Sequence, residues 1–186
     1  MKVKLVNVRT AFLSIFEPKS VNGEGDPRYS GAFIVDPKSA NVKTMDAAIL
    51  AVATEKWKDK APAILKKLTE EGKVAFKKSP RTNEAGEPYA GFEGMYSVNA
   101  GNKSRPLVID RDKTPLTAAD GKPYSGCFVD ANIEFWAQDN QYGKRINATL
   151  RGVQFRADGD AFGGGAPASS DEFDDLSDGS EEDPTA

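Results

Sequence analysis

The sequence has no histidine, and its single cysteine is Cys127. Without histidine there is no His-based catalytic triad, no imidazole general base and no histidine zinc ligand. One thiol makes neither an internal disulfide nor a thiolate metal cluster, which fits a soluble, reducing, intracellular setting. Nor does any apolar run approach the roughly 20 residues of a membrane span. The first nine residues alternate apolar with polar and lack the apolar block of a secretory signal. An enzyme built from this chain would have to work with carboxylates, Lys, Ser or Tyr.

Positive charge is missing from residues 157–186, which hold ten acids and no Lys or Arg. The other 18 acids face all 25 bases in residues 1–156, so the net charge of −3 separates into a body of +7 and a tail of −10. That asymmetry points to a body that binds polyanions, joined to an acidic tail. The plainer reading is an ordinary domain with a solubilising tail.

Residues 2–8 and 11–16 read as strands from their β-branched and aromatic content. The Gly, Asn, Asp and Pro content of Pro18 to Pro27 predicts a loop. Tyr29 to Val35 reads as a strand ended by Asp36-Pro37. The period then changes. Val42, Met45, Ile49, Val52 and Ala53 recur at helical spacing, and Pro62 can begin a second helix with Ile64, Leu65 and Leu68 on one face. Trp57 falls at the junction of the two, where core packing is its expected role. After Gly72 the β pattern returns, with Val74–Lys77, Phe92–Asn99, Leu107–Asp110, Cys127–Ala137 and Arg145–Phe155. Residues 79–91 read as a loop, and 138–143 as a hairpin connection. Beyond Asp158 there is no periodicity. Gly163-Gly164-Gly165 reads as a hinge, and the residues after it have too little apolar surface to order themselves.

The predicted architecture is mainly β. A small closed barrel of about six strands, OB-like and Greek-key, buries short strands and limits open edges. It carries an inserted helical pair. The domain is expected over residues 1–156, with a disordered acidic tail over 157–186.

The last two strands say most about chemistry. Cys127, Val129, Ala131, Ile133 and Phe135 share one apolar face, which predicts the core. Trp136 is then an aromatic on the solvent side, either capping the barrel or free to stack. Ile146, Ala148 and Leu150 face inward and Arg145, Asn147, Thr149 and Arg151 outward. A bulge at Gly152 would return Val153 and Phe155 to the core. Trp136 and Tyr142 with Lys144, Arg145 and Arg151 thus form a basic surface with interleaved aromatics. Single-stranded nucleic acid needs that combination, because bases stack on flat rings and phosphates need cations. A second basic-aromatic cluster holds Lys77, Lys78, Arg81, Tyr89, Tyr96, Lys103, Arg105 and Arg111. Phe92 in the same region is assigned to the core, while Tyr96 is open between core and stacking.

Two motifs point elsewhere and are weak. Gly101-Asn102-Lys103-Ser104 echoes the end of a phosphate loop but lacks its Gly-Lys pair. Asp110 and Asp112 could hold Mg²⁺ for a nuclease, yet Asp is a common turn residue at such a strand end.

The stretch from Tyr124 to Asn132, then Lys144 to Gln154, then Arg156-Ala157-Asp158-Gly159-Asp160, resembles the C-terminal half of a phage-encoded single-stranded DNA-binding protein family. Tyr29 to Val35, Asp36 and a helical pair containing Trp57 match its layout. The resemblance covers roughly residues 1–165. It implies an OB-fold replication protein without catalysis, cofactor or metal, in the cytoplasm of an infected bacterium. It also implies an acidic tail that recruits replication partners and competes with DNA for the basic groove. Many such tails end in an aromatic residue; this one places its apolar residues, Phe173 and Leu176, inside Asp171-Glu172-Phe173-Asp174-Asp175-Leu176. The expected partners are single-stranded DNA and phage or host replication proteins, with a homodimer left open. The rival readings are a replication accessory factor acting through its tail, and a metal-dependent nuclease.

Overall fold

The structure, a computed structural model, describes residues 1–21 and 23–162. Strand β1 runs over Lys2–Val21 and β2 over Glu24–Val35. Helices α1 (Ala40–Trp57) and α2 (Ala61–Glu70) come next, joined by a single 3₁₀ turn. The rest is β3 (Phe76–Lys77), β4 (Tyr96–Asn102), β5 (Leu107–Ile109), β6 (Phe128–Asn140) and β7 (Gly143–Ala157). No helix among the described residues is long and apolar enough to cross a membrane.

Five strands close a barrel in the cyclic order β1-β2-β4-β7-β6. Numbered along the chain, the barrel strands run 1-2-3-5-4-1, the Greek-key circuit of an OB-fold. All its pairings are antiparallel except the closure, where β4 meets β7 in parallel at Gly101 and Thr149. Asn102 reinforces that seam by donating from Nδ2 to the Leu150 carbonyl at 3.0 Å. Short β3 extends β4, and β5 extends β7.

β1 is one long bent strand where the sequence reads as two. Register shifts fall between Leu5 and Val8 and between Ala11 and Ser14, and Asn7 and Phe12 lie at φ 53° and 51°. These bulges break the alternation and bend the strand, so that its first half pairs with β6 and its second with β2. The predicted loop over Pro18 to Pro27 is instead a continuation of the β1–β2 hairpin, with Lys19 opposite Arg28. Backbone pairing outweighs the local preference of its Gly and Pro residues. Arg105 anchors this arm through a 2.9 Å bond from its guanidinium to the Phe16 carbonyl.

The core matches the predicted faces. Cys127 just before β6, Val129, Ala131, Ile133 and Phe135 from β6, and Ile146 and Leu150 from β7, are essentially sealed from solvent. Opposite Gly152 the β6–β7 register shifts, and Val153 and Phe155 return to the interior. Met45, Ile49, Val52, Ala53 and Trp57 of α1 and Leu68 of α2 cover one end of the same cluster. Trp57 also donates its indole N–H to Asp139 at 2.9 Å, tying the helices to the β6–β7 hairpin. Phe92 lies in a turn before β4, not in a strand, and is buried with Ala11, Ala32 and Ile34 in a smaller second cluster.

Residues 158–162, on the tail side of the expected boundary, are clamped to the barrel. Tyr124 donates to Asp158 at 2.8 Å, and the Phe162 amide donates to the Ser125 carbonyl at 3.0 Å. Arg9 donates to the Asp160 carbonyl at 2.7 Å and lays its guanidinium 4.1 Å over the Phe162 ring. Gly126 makes room for this strap: it lies at φ 111°, and a Cβ there would overlap the Asp160 carbonyl oxygen. Burial, then the bond to Asp158, raises the Tyr124 hydroxyl above its ordinary pKa.

Candidate nucleic-acid interface

Because β6 alternates, sealing Phe135 inside turns Trp136 out, and its side chain is 43% exposed. Asn147 of β7 stands opposite it and donates to Gln138 at 2.8 Å. Together with Arg145 and Thr149, these residues form one wall of a cleft of about 580 Å³. The β2 and β4 backbones at Ser30, Gly31, Asn99 and Gly101 form its floor, and Arg28, Arg81 and Phe12 lie at its margin. The cleft therefore spans barrel strands 2 and 3 and is walled by strands 4 and 5.

Its electrostatics are one-sided. Among the described residues lining it are five cations, Arg28, Lys73, Lys77, Arg81 and Arg145, and no Asp or Glu. Lys73 is held by Glu71 at 3.1 Å. The other four make no ion pair among the described residues. Burial lowers the Lys77 pKa, and the neighbouring Arg145 lowers it further. An anion entering the cleft would relieve that cost. Arg81 stacks its guanidinium 4.2 Å above the Phe12 ring and approaches Asn99 Oδ1 at 3.5 Å.

Of the residues singled out by sequence, the cleft gathers Lys77, Arg81, Trp136 and Arg145. The others lie elsewhere. Lys78 pairs with Asp46 at 2.9 Å, Lys103 with Asp26 at 3.4 Å, and Lys144 with Asp139 at 3.6 Å. Arg105 holds the hairpin arm, and Arg111 donates to the Arg156 carbonyl at 3.0 Å. Arg151, the unpaired residue of the β7 bulge, does not line the cleft and donates from Nε to Glu134 at 2.8 Å. Tyr96 is half-buried against the main core, edge-on to Phe76 at 5.9 Å. Tyr142 is 80% exposed at the β6–β7 tip, and Tyr89 lines a neighbouring cleft. Phe173 and Leu176 lie outside the described residues.

Arg28 and Phe12 were missed. Arg28 falls between the predicted loop, Pro18 to Pro27, and the predicted strand from Tyr29, and Phe12 lies in a strand whose bulge hides its outward orientation. A signal for Phe12 was present: Ala11 and Ile15 are apolar neighbours of opposite parity and take the buried face.

The Asp110 and Asp112 carboxylates serve the turn after β5. Asp110 accepts from the Arg111 amide at 2.8 Å and pairs with Lys122 at 3.0 Å; Asp112 accepts from the Thr114 amide at 3.0 Å. The Arg111 amide and then Lys122 lower the Asp110 pKa, and Thr114 lowers that of Asp112. Neither lines the cationic cleft.

Comparison with known proteins agrees with this fold. The single-stranded DNA-binding protein family of Enterobacter phage Enc34 matches residues 1–185. Protein p50 of Acyrthosiphon pisum secondary endosymbiont phage 1 is 48% identical over 184 residues, covering 98% of this chain and 97% of p50. The single-stranded DNA-binding protein of bacteriophage Enc34, solved in complex with single-stranded DNA, superposes with a TM-score of 0.71 at 27% identity, covering 87% of this chain and 89% of that one. The bacteriophage T7 single-stranded DNA-binding protein gp2.5 shares the fold at 11% identity and a TM-score of 0.58, covering 94% and 97% of the two chains. With its whole length matched and the OB circuit in place, the chain belongs to the Enc34 family of phage single-stranded DNA-binding proteins.

Proposed function

We propose that this protein binds single-stranded DNA in the cleft across β2, β4 and β7 and coats it during phage replication or recombination. The observation that carries the reading is the cleft itself: five cations, no carboxylate among the described lining residues, and the exposed Trp136. It spans barrel strands 2 and 3, between the hairpins β1–β2 and β6–β7, where OB barrels generally hold oligonucleotides. The mechanism is phosphate capture by Arg28, Lys77, Arg81 and Arg145, with bases stacked on Trp136. Phosphates and π faces are common to every nucleotide, so sequence preference is weak. The reading is of a binding protein acting without cofactor or catalytic step.

Titration with a single-stranded oligonucleotide, and with a duplex of equal length, across a salt series tests this. The single strand is expected to bind more tightly. If about four phosphates are neutralised, log K falls with log[salt] at a slope near −3, from about −0.7 per contact. A flat salt response, or a preference for duplex, contradicts the proposal.

The tail belongs to the same reading. Residues 163–186 carry eight acids, and the clamp at 158–162 fixes where they leave the barrel. Tethered carboxylates compete with DNA for the cationic cleft at high effective concentration. A chain ending at Phe162 keeps the clamp and loses those eight acids. It is expected to bind single strands more tightly than the full chain, most clearly at low salt, where screening is weakest. Equal affinities at low salt rule out the competition. Docking of replication proteins at Phe173 and Leu176 is a separate proposal, checked by whether the truncated chain loses them.

A further inference from the structure

A second cleft of about 590 Å³ adjoins the first, and its character is different. Its walls are largely apolar, from Phe12, Leu13, Tyr89, Phe92 and Phe162, with Lys19 at the rim. Phe12 lines both clefts. The residue is unusual on two counts. Its backbone lies at φ 51°, where side chains other than glycine are rarely found, and its ring is 47% exposed. The β1 bulge accounts for the backbone, but the interior does not account for the exposed ring, because Phe92, not Phe12, fills the small core beneath. What Phe12 does contact is an aromatic row: Tyr89 stands edge-on at 5.3 Å and Phe92 lies at 6.2 Å. The Arg81 guanidinium lies 4.2 Å over its ring.

We propose that Phe12 and Tyr89 form a second base-stacking station, so that a strand held in the cationic cleft continues over Phe12 into the apolar one. This rests on the reading of the first cleft as the DNA site. Three observations favour nucleobases as the occupant. The two clefts are continuous through a shared aromatic ring. A cation on a flexible side chain already stacks on that ring, and cation and base compete for the same π face. Arg81 on one side and Lys19 on the other supply charge for the phosphates flanking a base seated there. On binding, Arg81 exchanges the Phe12 ring for a phosphate, and the base takes its place. Phe12 thereby lengthens the footprint of one barrel without adding to its charge.

Oligonucleotide length separates the two stations, since OB barrels engage about 4–16 nucleotides each. The full chain and its Phe12→Ala, Tyr89→Ala, Tyr89→Phe and Trp136→Ala variants are titrated with oligothymidines of about 4 and about 12 nucleotides, spanning that range. The short oligomer occupies the more cationic cleft. Phe12→Ala and Tyr89→Ala are expected to weaken the long oligomer by about 10-fold, in line with the loss of one stacked base, and the short one by less than about 2-fold. Tyr89→Phe retains the long-oligomer affinity, because the ring and not the hydroxyl stacks. Trp136→Ala weakens both lengths. Thermal melting of the exposed-site variants is expected to be unchanged. The proposal is overturned if Phe12→Ala and Tyr89→Ala leave the long oligomer unaffected while Trp136→Ala still weakens it. It is equally overturned by equal losses at both lengths, which would make Phe12 a wall of the first cleft only. Tighter binding in the Phe12 and Tyr89 variants would assign the apolar cleft to the chain's own Phe173–Leu176 segment instead. If the unaltered chain binds neither oligomer, the reading of the first cleft fails and this one with it.

Discussion

Phe135→Ala is expected to destabilise the protein by about 3–5 kcal/mol, the range for truncating a fully buried phenylalanine. Phe135 has no exposed surface and lies within the main core cluster, between β1, α1 and β7 neighbours that close packing holds in place. Its backbone also takes part in the fold, donating to the Met1 carbonyl at 2.9 Å and accepting from the terminal ammonium at 2.7 Å. The substitution leaves those backbone bonds and removes the ring, so the loss is that of apolar burial plus a cavity. Natural domains are stable by only about 5–15 kcal/mol, so the variant sits close to unfolding at elevated temperature. Urea denaturation, read as a shift in midpoint at constant slope, measures the effect. A change below about 1 kcal/mol would mean that the barrel collapses around the void far more completely than close-packed cores do.

Trp136→Ala, one residue along, is expected to do the reverse. The ring is 43% exposed and lies on the cleft side of β6, so its removal leaves no internal void. The melting temperature should hardly move, while single-stranded DNA affinity falls by about 1–3 kcal/mol, the worth of one base–aromatic stack. Quenching of tryptophan fluorescence by DNA provides a second readout, and Trp57 gives the internal control. Trp57 is buried and committed to Asp139, so the quenched signal should vanish in the Trp136 variant and leave the Trp57 emission insensitive to DNA. Lost thermal stability with unchanged DNA affinity would assign Trp136 to capping the barrel end. The two neighbouring substitutions divide stability from binding because one peptide unit of a strand turns a side chain from one face of the barrel to the other.

That division was legible in the sequence. From Cys127 to Trp136 the apolar residues recur at every second position, and only one face of a barrel strand is buried, so period alone identifies inside and outside. The helical pair was legible for the same reason at a different period. The β1–β2 arm was not, because Pro, Gly and Asp between Pro18 and Pro27 carry the local signature of a loop. Asn22-Gly23, a dipeptide favoured at hairpin tips, was the contrary signal. The family resemblance carried by Tyr124 to Asp160 agrees with the match over residues 1–185.

The charged residues of the candidate site were legible only in part. Lys77, Arg81 and Arg145 reach the cleft. Lys78, Lys103, Lys144 and Arg151 carry the same charge in similar contexts, yet each has a carboxylate within 4 Å. Whether a surface cation is paired depends on what the neighbouring strand or helix places beside it. Asp46 meets Lys78 across 32 positions and Asp26 meets Lys103 across 77. No local pattern encodes such distances.

By itself the sequence determined the alternating faces of β6 and β7, the two helices, and the separation of a basic body from an acidic tail. These rest on short-range periodicity and on composition, which need no knowledge of what packs against what. Tertiary structure alone decided which cations stay unpaired among the described residues, that Arg28 and Phe12 join Trp136 in one cleft, and that residues 158–162 are hydrogen-bonded to the barrel. Those outcomes depend on the bulges that set strand register and on closure of the sheet between Gly101 and Thr149, which bring distant segments side by side.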